Sequence, residues 1–249
     1  MFKCFYEGGF SQEDMEDHFT LTLFYLAQTY TKLGFKQKAA EHCGRTLQRQ
    51  YLTGKFEIND FCHNLMGLSE YYQGSTSFAQ AQYLLMLALK VLPVNRKKKM
   101  RATLQVSLGN LFGHVLEFCV GRIKAQKPVT AEDSEACNRS LLMFEGFDQP
   151  FPAMVLASDL EECKSIFRTA NTQYKKALEV YVLDGFVTEH IDILHAQSRL
   201  YWNLSKLDKS RERVANMLIK RREMLEPLLT ELNSKAFPAT WQKILVEVS

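Results

Sequence analysis

The chain of 249 residues is 46% hydrophobic and 24% charged, which is the composition of a protein that folds and not of a disordered one. Its 6 prolines and 12 glycines are few for this length, and such a scarcity of turn residues predicts long helices in place of many short strands. The formal net charge of +3 is too small to indicate nucleic-acid binding by itself, and no apolar stretch is long enough to predict a membrane span.

Apolar residues near the start of the chain recur at the spacing of one helix face. Before Gly34 they are Leu23, Leu26, Ala27 and Tyr30, and after it they are Ala39, Ala40, Cys43 and Leu47. Residues 13–50 are therefore predicted to form a helix, a short turn and a second helix. Ser11 is the predicted N-cap residue of the first helix.

A second helix pair of the same shape is predicted for the residues that follow. Its two faces contain Leu65, Leu68, Ser69 and Tyr72, and then Phe78, Ala81, Leu85, Ala88 and Leu92. Corresponding residues of the two pairs, such as Tyr30 and Tyr72 or Ala39 and Ala81, are 42 positions apart. A fixed internal offset of this kind is typical of a stacked helical repeat.

Both pairs resemble the tetratricopeptide repeat, in which a leucine and a small residue stand one helical turn before an aromatic residue. Leu26, Ala27 and Tyr30 follow this pattern, and so do the equivalent residues of the second pair. The offset is longer than the usual repeat of about 34 residues, so the helices or their connectors must be longer. The predicted fold is all-α, a tetratricopeptide-like right-handed α-solenoid of antiparallel helix pairs, with these repeats in residues 1–124.

The densest basic cluster follows the second pair and consists of Arg96, Lys97, Lys98, Lys99 and Arg101. It has three interpretations: a solvated helix start, a patch that meets an acidic partner, or a contact with nucleic acid. No aromatic residue interleaves the cluster, so stacking on bases finds no support in the sequence.

The second half of the chain is predicted to begin with a connector, residues 125–158, that is partly disordered or irregular. Helical periodicity returns in residues 159–249 as a second group of long helices. Gly185 is expected to end one of these helices in the left-handed conformation, and Thr188 is expected to cap the next. The apolar residues 241–246 stop abruptly, so we expect their helix to lack a partner and the group to be incomplete at the C-terminus.

Sequence signals for catalysis are missing from the chain. It contains no phosphate-binding loop, no dinucleotide fingerprint and no motif of a metalloprotease or serine hydrolase. His190 and His195 are five positions apart, which places them on different sides of a helix and makes them a poor metal pair. The six cysteines lack the close spacing of a zinc site and are expected to be small core residues. We therefore expect no enzyme activity, no cofactor and no metal.

A concave groove is predicted along the first helix of each repeat. The residues placed there are Phe24, Tyr25, Gln28, Thr31, Lys32, His63, Met66, Gly67 and Glu70. Large rings flanked by amides suit the recognition of another protein, because they combine contact area with hydrogen bonding. The alternative for Phe24 and Tyr25 is packing between repeats, whereas Gln28 is harder to bury because its amide must keep its hydrogen bonds.

Several segments together resemble the kinesin-binding protein family, also called KIF-binding protein. They are residues 24–50, 184–191, 220–228 and 232–233. The resemblance implies a helical solenoid without catalysis that grips the motor domain of a kinesin in its concave face and prevents the motor from attaching to microtubules. It covers most of this chain but only the middle of the family's longer sequence.

Carried over by position, the resemblance implies partner contacts at Tyr25, Gln28 and Gln50, with Lys97 and Lys98 as basic neighbours. Gly67 stands where the family commonly has a threonine. These residues are the candidate partner-binding site.

The function implied is a kinesin-motor-binding adaptor in microtubule-based transport, with other cytoskeletal proteins as further candidate partners. The alternative is a general tetratricopeptide scaffold that joins subunits of a cytosolic complex. Neither nucleic acid nor a membrane span is expected. The start of the chain lacks the apolar run of a signal peptide, so the expected location is the cytoplasm, in association with the cytoskeleton.

Overall fold

The structure is a computed structural model that describes residues 12–93 and 97–248, and every regular element in these ranges is a helix. The helices are α1 (Gln12–Lys32), α2 (Lys36–Thr53), α3 (Ile58–Gly74), α4 (Phe78–Val91), α5 (Lys98–Lys124), α6 (Ala131–Asn138), α7 (Leu160–Leu178), α8 (Val187–Ser205), α9 (Arg211–Leu225), α10 (Leu228–Glu231) and α11 (Pro238–Val248). The predicted all-α class is confirmed. Ser11, the predicted N-cap, lies outside the described residues.

The chain divides into two compact units, which are described separately. Unit 1 consists of Met1–Val91 and Arg139–Pro152, and unit 2 consists of Leu92–Asn138 and Ala153–Ser249. In unit 1, α1 packs on α2, α3 packs on α4, and α2 contacts α3. In unit 2, α5 packs on α7 and α8, α8 packs on α9, and α11 contacts α9 and α10. None of the helices in the described ranges combines the length and the apolar character needed to cross a bilayer.

In both helix pairs of unit 1, the turn that joins the two helices of the pair has the same conformation. Gly34 and Thr76, which are 42 positions apart, both have left-handed backbone angles, with φ of 78° and 58°. The backbone N–H of the next residue donates to the carbonyl oxygen of Tyr30 in the first turn and of Tyr72 in the second, at 2.9 Å in both. This hydrogen bond and the left-handed residue define a Schellman motif. The repeat offset predicted from side chains is therefore also present in the backbone.

A close contact between two helices fixes the packing of unit 2. Tyr174 on α7 is buried and lies against Gly109 of α5, where a Cβ atom would be 2.5 Å from the Cε1 atom of the ring. The Tyr174 hydroxyl donates to Oδ1 of Asn110 at 2.8 Å, so its polar end is satisfied inside the contact. A side chain at position 109 would displace this ring, so glycine permits the close approach of α5 and α7 at this point.

Residues 125–158, the predicted connector, contain α6 followed by backbone without helix or strand. Their side chains are partly buried: Phe144 and Phe147 in unit 1, and Leu156 and Ala157 in unit 2. Unit 1 draws residues from both sides of position 124, and unit 2 draws residues from both sides of positions 124 and 158. The division into domains at these two positions remains a prediction.

The end of α7 differs from the prediction. The helix ends at Leu178, Gly185 does not have a positive φ angle, and Phe186 takes the N-cap position of α8 in place of Thr188. The reason is a tertiary contact: Tyr181 is buried, and its hydroxyl lies 2.6 Å from Oγ1 of Thr103 on α5. A contact between residues so far apart in sequence leaves no local signal.

The last helix has a partner on one face, contrary to the expectation that it has none. Ile244 is fully buried in a cluster with Ile191, Leu225, Leu228 and Leu232. The indole N–H of Trp241 donates to the carbonyl oxygen of Leu229 at 3.1 Å. Val246, on the opposite face, is 72% exposed. The apolar run at the end of the chain is thus only partly covered.

Candidate partner-binding groove

Three helices of unit 1, α1, α2 and α3, enclose an open groove with a volume of about 490 Å³. Its lining residues come from one face of each helix. They are Phe24, Ala27, Gln28 and Thr31 of α1, Lys36, Ala39, Ala40, Cys43, Thr46, Leu47 and Gln50 of α2, Asn64, Gly67, Leu68 and Tyr71 of α3, and Gly34 of the first turn.

The faces that line the groove follow from helical spacing. On α1, Phe24, Gln28 and Thr31 recur at intervals of three and four residues and therefore share one side of the helix. The same intervals place Leu47 and Gln50 on the inner side of α2. The hydroxyl of Thr31 donates to the carbonyl oxygen of Ala27 at 2.8 Å, so it has a partner within its own helix.

The floor of the groove is apolar and its rim is polar but almost uncharged. Buried alanines and leucines form the floor: Ala27, Ala39, Ala40, Leu47 and Leu68. The rim carries the amides of Gln28, Gln50 and Asn64 and the ring of Tyr71. Among the described lining residues, Lys36 is the one with a formal charge. Such a surface can receive apolar side chains and exchange hydrogen bonds at its edge, as the centre of a protein interface does.

The thiol of Cys43 contributes to this groove as an apolar group. Burial raises the pKa of Cys43 to about 11, so the thiol stays protonated at neutral pH and is a poor nucleophile. Burial likewise raises the pKa of Cys119 to about 11 and that of Cys163 to about 12. Cys4 lies outside the described residues. Within residues 12–93 and 97–248, no group of three or more His, Cys, Asp or Glu side chains could hold a metal ion.

The structure brings together two of the candidate site residues and leaves a third beside them. Gln28 and Gln50 both line the groove. Tyr25 is 56% exposed and does not line it, but its ring centroid lies 5.7 Å from that of Phe24, which does. Tyr25 is therefore exposed on α1 next to a lining residue, and it is not part of the core.

The face that α3 turns to the groove was predicted only in part, because Gly67 lines the groove as expected but the residues predicted beside it do not. Met66 is buried, and His63 and Glu70 are absent from the lining. Asn64 and Tyr71 line the groove instead. Met66 and Glu70 stand 42 positions after Phe24 and Gln28, which are lining residues of α1, but two helices that bound one groove turn different faces toward it. The spacing of 64, 67, 68 and 71 was the available signal.

Lys97 and Lys98 belong to unit 2, where they begin α5. Lys97 is the N-cap residue and has a φ of 61°, while Lys98 is exposed. The next cation, Lys99, lies over the ring of Phe186 with its Nζ 4.8 Å from the centroid. Arg101 donates to the carbonyl oxygen of Leu92 at 3.3 Å, and Arg96 lies outside the described residues. The basic cluster is thus divided between exposed and internally engaged side chains.

Comparison of the sequence with known proteins shows which family the chain belongs to. The sequence profile described as "KIF-1 binding protein C terminal" matches residues 124–249, which is half of the chain. The chain belongs to the KIF-binding protein family. The KIF-binding protein of Danio rerio is 24% identical over 274 residues, covering 93% of this chain and 43% of the relative. That of Gallus gallus is 26% identical over 266 residues, covering 89% and 44%. That of Drosophila melanogaster is 25% identical over 276 residues, covering 97% and 45%.

This family member therefore spans less than half the length of the curated relatives it matches. The family profile covers residues 124–249, and the groove of α1, α2 and α3 precedes it. The match to the Drosophila protein extends over 97% of the chain and so includes most of the groove. The similarity to the KIF-binding proteins is thus not confined to one unit.

Proposed function

We propose that this chain binds the motor domain of a kinesin in the groove between α1, α2 and α3, and that binding prevents the motor from attaching to microtubules. The observation that carries the proposal is the groove itself, with an apolar floor and an amide rim, in a member of a family whose relatives are named for binding KIF proteins. Grooves of this composition suit an amphipathic helix, which inserts apolar side chains at intervals of three and four residues.

The amides of Gln28 and Gln50 are assigned to hydrogen bonds with the motor at the two sides of the groove. Tyr25 adds ring contact from the exposed edge of α1. Lys97 and Lys98, in unit 2, are assigned to acidic groups of the partner, where charge affects the association rate more than the affinity. Inhibition follows by competition, because a motor helix held in the groove is not available to tubulin. The chain acts as an adaptor without catalysis and works where kinesins work, in the cytoplasm on the cytoskeleton.

Two glycines of α3 allow this proposal to be tested without disturbing the packing. Gly67 lines the groove, and Gly74, at the end of the same helix, does not. Both are exposed, and a Cβ atom added at either position would meet nothing within 4 Å. An arginine at Gly67 therefore fills the groove, whereas an arginine at Gly74 extends into solvent.

We expect the unmodified chain to bind at least one member of a panel of purified kinesin motor domains. Gly67→Arg should weaken that binding at least tenfold, since blocking the centre of an interface costs about 2 kcal/mol or more. Gly74→Arg should bind as the unmodified chain does. Both variants should melt at its temperature or somewhat above it, because arginine favours the helix more than glycine does. Equal affinities of Gly67→Arg and Gly74→Arg for the motor domain would show that the motor does not bind in the groove. Failure to bind any motor, together with capture of subunits of another complex, would favour the general scaffold.

A further inference from the structure

A segment of unit 1 crosses α2 and α4, and on α2 it lies on the face next to the groove lining. We call residues 139–147 the strap, because their backbone has no helix or strand and is held by side chains of both helices. On α4, Gln80 is fully buried. Its Oε1 accepts the backbone N–H groups of Leu141 at 2.8 Å and Leu142 at 2.9 Å, and its Nε2 donates to the carbonyl oxygen of Leu142 at 2.9 Å.

A tyrosine one turn further along α4 holds the next part of the strap. Tyr83 is fully buried, and its hydroxyl accepts the backbone N–H of Phe144 at 2.9 Å. Its ring makes an edge contact with Phe147, at a centroid distance of 5.2 Å. Because both helix residues are buried, water cannot replace these hydrogen bonds, and the strap is fixed to α4 in one register.

The same segment also holds α2. Gln48 donates from Nε2 to the carbonyl oxygen of Met143 at 3.1 Å, and the hydroxyl of Tyr51 lies 3.4 Å from the carbonyl oxygen of Gly146. The side chain of Leu142 lies on Gly44, where a Cβ atom would be 2.8 Å from its Cδ2. Glycine at position 44 thus provides the seat for Leu142.

The strap contacts and the groove lining occupy adjacent faces of the same turns of α2. Gly44, Gln48 and Tyr51 face the strap, while Leu47 and Gln50 face the groove. Successive residues of an α-helix are about 100° apart, so each strap contact is one residue away from a lining residue. A shift of α2 that loosens the strap therefore also moves the wall that carries Gln50.

We infer that the strap is a positioning element for the groove: Leu142 and Gln80 fix α2 relative to α4 and thereby set the position of Gln50. This inference rests on the proposed function of the groove, since the positioning matters for binding only if the groove receives the motor. Leu142 and Gln80 act through α2 and do not touch the partner.

Two neighbouring leucines of the strap provide a matched pair of variants. Leu142 is seated on Gly44, whereas Leu141 is 50% exposed and uses only its backbone N–H to bind Gln80. Leu142→Ala should weaken binding of a kinesin motor domain about tenfold, which is within the range for residues that act through packing. It should also speed amide hydrogen exchange in the second half of α2 while leaving α1 unchanged. Leu141→Ala should do neither.

Three outcomes separate the inference from its alternatives. Faster exchange over all of α1 to α4, in proportion to a lower melting temperature, would show that Leu142 is merely structural and would overturn the inference. Unchanged motor affinity despite local loosening of α2 would also overturn it. If the unmodified chain binds no motor, the proposed function fails by itself, and the exchange measurement still decides whether the strap positions α2.

Discussion

Asp208, between α8 and α9, carries a carboxylate whose side chain is fully buried. Arg213 donates to it from Nε and Nη2, at 2.8 Å each, and the backbone N–H of Ser210 donates at 2.9 Å. These hydrogen bonds, foremost those from Arg213, lower the pKa of Asp208 to about 2. The guanidinium itself is more than half exposed, so solvent weakens its charge interaction but not the alignment of its two donors.

The lowered pKa predicts a dependence of stability on pH. An aspartate in an unfolded chain has a pKa of about 3.9, so the folded state gains from the Asp208 carboxylate above about pH 4. That gain is lost as the pH falls from about 4 through the folded pKa of about 2. Melting temperatures of the unmodified chain and of Asp208→Asn should therefore differ at pH 7, approach each other below about pH 4 and converge only near pH 2. A constant difference across this range would mean that the carboxylate is not the source of the stability.

At the scale of single elements, the turns at Gly34 and Thr76 are equivalent, but Thr76 places a β-branched residue in the left-handed conformation. The turn at Thr76 is therefore the strained one of the two. L-amino acids with side chains pay roughly 1–2 kcal/mol for this conformation, and glycine pays almost nothing. Thr76→Gly should therefore raise the free energy of unfolding by about 1 kcal/mol, measured by urea denaturation. The reciprocal change at the other turn, Gly34→Thr, should lower it by a similar amount. A loss of stability in Thr76→Gly would show that contacts of the threonine outweigh its backbone strain.

The helices could be predicted from sequence where their signals are local. Apolar residues at intervals of three and four residues indicated both helix pairs of unit 1, and the equivalence of Tyr30 and Tyr72 gave their offset. The end of α7 could not be found in this way, because it depends on the contact of Tyr181 with Thr103 on another helix. The strap was read only as an irregular connector, because its attachment to Gln80 joins residues 61 positions apart.

The groove lining was predicted only in part, again because some of it depends on how helices pack and not on local sequence signals. Gln28 was predicted to lie in the groove and does line it, and Gln50, which entered through the family resemblance, lines it as well. The role of both residues in binding remains a proposal. Asn64 and Tyr71 were missed, because repeat equivalence gives the order of the helices along the chain but not the face that each turns toward a shared groove. Local periodicity identifies a helix, whereas the orientation of the helix is decided by its neighbours.

At the scale of the whole molecule, the proposed function has two halves: the groove holds a motor, and a motor held there cannot hold a microtubule. Direct binding tests only the first half of this claim, since a partner could bind the motor on a surface that leaves tubulin contact intact. The effect of the chain on the motor's attachment to its track tests both halves together.

The decisive measurement is co-sedimentation of a responsive kinesin motor domain with microtubules at rising concentrations of the chain. We expect the unmodified chain and Gly74→Arg to move the motor from the pellet to the supernatant in step with their binding, and Gly67→Arg to leave the motor in the pellet. Sedimentation of the chain together with the motor on microtubules would contradict the proposed function, because it would show that the motor can hold both at once.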